Sequence, residues 1–230
     1  MLLYGIDIWY IILVLPAVIL SLIASANVNS TFKKYAKIAS QRGTTGAEAA
    51  RQVLMANGVY GVQIERVSGE LTDHFDPRTN VIRLSDSVYG STSVAAVGVA
   101  AHEAGHAVQF AEGYGAMKVR TAIIPITNIG SNLAMPLVLL GIVLSIPMLA
   151  NLGILAFSFS TLFQLVTLPV EFNASSRALK AIEGFAASEN EVKQAKKVLT
   201  AAALTYVAAL AVSLANLLRL IMIVNGRRRD

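Results

Sequence analysis

The sequence predicts a mainly α-helical membrane protein with about four transmembrane helices and a small α+β unit, forming one domain over residues 1–230. Three observations carry this. Hydrophobic residues make up 55% of the chain and charged ones 14%, and the mean hydropathy is +0.59; soluble domains carry about 25% charged residues. Four stretches match the roughly 20 apolar residues that a spanning helix needs. Between them lie two polar segments, 27–120 and 171–200, the first of which is patterned as a small α+β unit.

The first span is 8–26, which carries no charge. Ala24, Ser25 and Ala26 resemble a processing site, so a cleaved signal peptide is the competing reading. Retention as an anchor is preferred. No Lys or Arg precedes the apolar core, and Lys33, Lys34 and Lys37 follow it, where basic residues resist translocation. The second span, 123–149, contains Pro125, Pro136 and Pro147; neighbouring helices in a bilayer can satisfy the backbone groups that proline frees. The third, 152–170, follows as a tight hairpin, and the fourth is 201–224, apolar apart from Arg219. Ten Lys or Arg residues in 27–120 and five between the third and fourth spans turn both polar segments towards the cytoplasm. Only Arg227, Arg228 and Arg229 oppose that orientation. The net charge of +5 is dispersed, which argues against a nucleic-acid partner and for the lipid bilayer.

Within 27–120, Thr45 to Glu48 is a capping box, and the helix it opens stops at Asn57-Gly58. "VQIERV" (62–67) alternates as a half-buried strand does. "ELTDHF" and "NVIRLS" follow, joined by a turn at 76–79, which predicts a short meander. A helix then starts near Ser91–Ser93 and stops at Gly113. Ser188 to Glu191 is a second capping box, leading into the fourth span.

The chain has three histidines, and two of them, His102 and His106, flank Glu103 in "AAHEAGHAVQ". Positions i and i+4 lie on one helix face, so both imidazoles can meet one ion. This H-E-x-x-H pattern supplies two zinc ligands and a carboxylate placed to deprotonate water at the metal. With His at roughly 2% and Glu at roughly 6% of residues, it arises by chance in well under about one chain in a hundred. Structural histidines on a packed helix are the bland alternative. There is no cysteine, so a metal must be held by nitrogen and oxygen. Catalytic zinc needs a third protein ligand, and the metzincin continuation is absent. The best downstream carboxylate is Glu171, in "LPVEFNASSRALKAIEG", where the third span would deliver it to the face of His102 and His106. A lone carboxylate at a membrane edge is otherwise a solvated helix end.

"VAAHEAGHAVQ", "LTDHFDPRTNVIRLS" and "LPVEFNASSRAL" together resemble the YugP-like family of bacterial membrane zinc metallopeptidases, over nearly the whole chain. H-E-x-x-H followed by a hairpin of spans and "EFNA" is more distantly similar to HtpX and the CAAX-prenyl endopeptidases. The resemblance implies a gluzincin: one Zn2+ per chain held by His102, His106 and Glu171, with Glu103 catalytic and a peptide or membrane-protein substrate. HtpX-like chains typically carry Asp where this one has Ser175, and YugP-like chains often read D-A-S-R-R where this one has 173–177.

Other residues have two readings each. His74 is a surface strand residue or lies beside the substrate, and "NVIRLS" is placed to pair with a substrate strand. Arg177 faces lipid headgroups or stabilises an oxyanion. Thr127, Asn128, Ser131 and Asn132 glue helices together or line a cavity. An intramembrane protease of the site-2 class is disfavoured by the polar stretches flanking the motif. A non-proteolytic membrane scaffold or chaperone with a structural metal would have no use for Glu103.

Overall fold

In the computed structural model, which describes residues 7–226, the chain forms two compact units. A π-helical turn, Tyr10–Val14, leads into α1 (Leu15–Tyr35). Then come α2 (Gly46–Ala56), β1 (Gln63–Val67), β2 (His74–Asp76), β3 (Val81–Ser85), α3 (Asp86–Tyr89) and α4 (Val94–Ala111). Three long helices complete the chain: α5 (Gly115–Val143), α6 (Pro147–Phe185) and α7 (Glu189–Gly226). Four helical stretches are long and apolar enough to cross a membrane: 10–35, α5, α6 and α7. The protein is thus a mainly α membrane protein with a small α+β portion.

One unit comprises residues 1–24, 119–168 and 205–230. Its helices meet through small residues, as membrane helices do. A methyl group on Gly153 would lie 2.7 Å from the carbonyl oxygen of Ala134, so only glycine permits that approach. Val138, Ala150, Leu220 and Val224 form one buried cluster, and Val14, Ala17 and Ala215 another. Arg219, the one charge in the last span, is neutralised by Asp7 at 2.6–2.8 Å and stacks over the Tyr10 ring at 5.3 Å. Arg227, Arg228 and Arg229 lie outside the described residues.

The hairpin between the second and third spans turns at 144–146, earlier than the 150–151 expected from hydropathy. Ser145 adopts φ 55°, and the Ile146 N–H reaches back to the Gly141 carbonyl at 2.9 Å, a Schellman-type stop. Pro147 then occupies the first position of α6, where its missing N–H costs nothing. Of the predicted polar stripe on α5, Thr127 is buried, whereas Asn128 and Asn132 are exposed and Ser131 bonds back to the Thr127 carbonyl.

The second unit comprises residues 25–118 and 169–204. Thr45 and Glu48 form the reciprocal capping box at α2. At α7 the Ser188 hydroxyl caps the Glu191 N–H, but the carboxylate serves Ala187 and Gln41 instead of closing a box. The strands do not form a meander. Their order is β1-β3-β2, with β1 parallel and β2 antiparallel to β3. Burial explains the order: four of the five residues of β3 are buried, and β1 and β2 are half exposed. The strand with buried residues on both faces takes the centre. Beneath the sheet runs α4, whose alanines at 95, 96, 100, 101, 104 and 107 are all buried and allow close packing on every side.

Candidate metal centre

Helix α4 starts at Ser93, whose hydroxyl accepts the Ala96 N–H at 3.2 Å, and ends before Gly113 at φ 67°. That frame sets His102 and His106 one turn apart, their rings 4.6 Å between centroids and nearly perpendicular. On α6, Glu171 points its Oε2 at both rings, 3.2 Å from His102 Nε2 and 3.4 Å from His106 Nε2. One ligand atom from each of the three lies within 4.8 Å of the others. Glycine makes the approach possible. A methyl on Gly105 would sit 2.7 Å from the Ala174 carbonyl oxygen, so any larger residue between the two histidines would push α6, and Glu171 with it, away.

Each imidazole is fixed through its other nitrogen. His102 Nδ1 faces Ser175 Oγ at 3.1 Å, and His106 Nδ1 faces Gln109 Oε1 at 3.0 Å. With a proton on each Nδ1, both Nε2 lone pairs would be free for a metal at the common point, the usual way a protein orients a metal-binding histidine. Gln109 is fully buried, and its amide donates to the Val170 carbonyl and to Asn173 Oδ1, at 2.8 and 2.9 Å. Asn173 in turn accepts from Arg177 Nε at 2.7 Å, and Arg177 pairs with Glu112 at 2.7 Å. A continuous polar chain therefore ties the end of α4 to α6. Burial opposes charge on the His106 ring, but the Glu171 hydrogen bond and the charges of Glu103 and Glu171 outweigh it and raise its pKa.

Glu103 stands apart from the three-residue cluster. Its Oε2 accepts the Phe75 N–H at 3.0 Å, which joins it to β2. Nearby, Asp73 accepts from the Ser85 N–H at 2.7 Å and from its hydroxyl. Burial, with a smaller contribution from the Glu103 charge, pushes the Asp73 carboxyl up. His74 is not part of the cluster: it is exposed, and its Nδ1 lies 2.8 Å from the Thr72 carbonyl.

The donor set, two imidazole nitrogens and a buried carboxylate, is one that zinc takes in hydrolases. The family model described as "Putative neutral zinc metallopeptidase" matches residues 10–225. The chain belongs to this family. Within the zinc metallopeptidases it is similar to the "Putative membrane protease YugP" of Bacillus subtilis (strain 168), with 51% identity over 221 residues, 95% of this chain and 98% of that one. No solved structure matches it. Family membership and the His102, His106 and Glu171 cluster agree on a zinc-dependent protein, and the four apolar helices agree with the membrane location in the relative's name. Sequence reasoning missed Gln109 and the Phe75 amide. A lone carboxamide three residues after His106, in "HAVQFA", was the available signal for the first.

Proposed function

We propose that the protein is a membrane-embedded zinc endopeptidase, with one zinc per chain held by His102, His106 and Glu171 and with Glu103 as general base. The observation that supports this best is the convergence of two Nε2 atoms and one carboxylate oxygen from helices distant in sequence. Beside them lies a fourth side chain, Glu103, tethered elsewhere. Zinc, when bound, supplies a Lewis acid that polarises the scissile carbonyl and allows water to lose a proton near neutral pH. Glu103 takes that proton as the water oxygen bonds to the carbonyl carbon. It then gives the proton to the leaving nitrogen as the C–N bond breaks. With Oε2 held by the Phe75 N–H, Oε1 is the oxygen left for this transfer.

The strand "NVIRLS" cannot pair with substrate, because β3 has a neighbour on each edge. Both β1 and β2 have an open edge; β2 is the one joined to Glu103 through Phe75, and it is here that an extended peptide would add as a further strand. His74, exposed on β2, would then lie beside the substrate. Arg177 is assigned a positioning role, since Glu112 and Asn173 already engage it. That α4 is not among the four helices long and apolar enough to cross a membrane supports placing the motif outside the spans.

Purified protein in detergent should degrade casein, lose that activity to 1,10-phenanthroline and regain it on stoichiometric zinc; activity that survives removal of all metal excludes the reading. The positive-inside asymmetry supports an active site facing the cytoplasm. The native chain has no cysteine, so single-cysteine labelling is clean. In intact cells, Ser145→Cys should react with an impermeant thiol reagent and Lys37→Cys should not, and the opposite pattern would invert the topology.

A further inference from the structure

An open groove of about 650 Å³ lies between the C-terminal end of α1 and the N-terminal end of α7. Lys34 lines it from α1, and Lys193, Lys196 and Lys197 from α7, with Thr31 and the buried Tyr35 ring between them. Lys34 sits over that ring at 5.5 Å and is exposed. Lys193 has only an exposed pair with Glu189 at 3.4 Å. Among the described residues, Lys34, Lys196 and Lys197 have no ion pair.

Helix stability does not account for these lysines. Of those on α7, only Lys193 has a partner along the helix among the described residues, the exposed i,i+4 pair with Glu189. Nor is the groove simply a solvated face, because its position along both helices is specific. Residues 8–32 ahead of Lys33 and Lys34, and residues 198–218 after Lys197, carry no charge. Both lysine groups therefore stand where an apolar span meets its first charges, the depth of lipid phosphates. We infer that this groove binds the headgroup of an anionic glycerophospholipid, the lysines meeting its phosphate and the lining hydroxyls and amides of Asn27, Thr31 and Thr200 its polar remainder. Basic pockets between spanning helices recognise headgroups in this way. The site is separate from the metal centre and stands whether or not the peptidase reading does.

The test uses the full chain in neutral detergent, titrated with dioleoyl-phosphatidylglycerol or dioleoyl-phosphatidylcholine and read by native mass spectrometry. The phosphatidylglycerol should bind more tightly. Each lysine near a headgroup is worth about 1 kcal/mol, or about fivefold, so Lys34→Gln with Lys197→Gln should weaken phosphatidylglycerol about 30-fold and leave phosphatidylcholine unchanged. Arg51→Gln with Lys180→Gln, the same charge loss on exposed residues outside the groove, should have no effect, and arginine at 34 and 197 should preserve binding. Equal binding of the two lipids, or wild-type affinity in the glutamine variant, overturns the proposal. Displacement of the lipid by equimolar inorganic phosphate overturns the lipid as the ligand and points to a soluble anion.

Discussion

Glu103→Gln is expected to retain its zinc and lose proteolysis by at least about 10²–10⁴-fold, the range that general acid–base catalysis contributes. The substitution preserves size and shape, and its amide oxygen can still accept the Phe75 N–H that Glu103 accepts at 3.0 Å. What it removes is the ability to take a proton and return it. Zinc should stay because Glu103 is not one of the three clustered donors. The measurement is metal content by mass spectrometry alongside casein turnover. Undiminished turnover would end the assignment of Glu103 as the base. Loss of zinc together with activity would instead make Glu103 part of the metal-binding set.

What the sequence made legible follows from how far each signal reaches along the chain. Helix periodicity, the Thr45 box, the Ser93 start and the Gly113 stop are local, and the structure has them at those positions. The same locality made His102, Glu103 and His106 visible as a group. Strand order was not legible, because it depends on which strand is buried on both faces once α4 lies beneath the sheet. The local pattern of "NVIRLS" says that it is apolar, not that it is central. The hairpin turn was misplaced for a related reason: hydropathy runs unbroken through 144–146, and only the conformation at Ser145 and the proline after it end α5 there. The partners of the histidines lay furthest from view. Ser175 stands 73 residues from His102, and nothing local announces that its hydroxyl meets the Nδ1 atom. A hydroxyl can accept that proton as a carboxylate does, without adding charge beside Glu171.

Variants of Glu171 should separate metal binding from catalysis. Glu171 lies 65 residues beyond His106, yet its carboxylate meets both histidine rings within 3.4 Å. It is 1% exposed, and a carboxylate so buried is costly unless a cation or strong donors face it. The two imidazoles, with a divalent ion bound between them and the carboxylate, would meet that need together. Glu171→Ala removes the only acidic member of the cluster and leaves zinc two protein nitrogens. Its affinity should fall by more than the roughly 10–100-fold that outer hydrogen-bonding partners are worth. Glu171→Asp keeps the charge but withdraws it by one carbon–carbon bond, about 1.5 Å. The backbone cannot follow, because Gly105 already sits against the Ala174 carbonyl with no room for so much as a methyl group. Zinc should therefore bind Glu171→Asp more weakly than wild type and more tightly than Glu171→Ala, and proteolysis at saturating zinc should recover only in the former. Competition titration with a chromophoric chelator reads all three proteins on one scale. Wild-type zinc affinity in Glu171→Ala would mean that another side chain completes the site, and the two-histidine, one-glutamate assignment would fall with it.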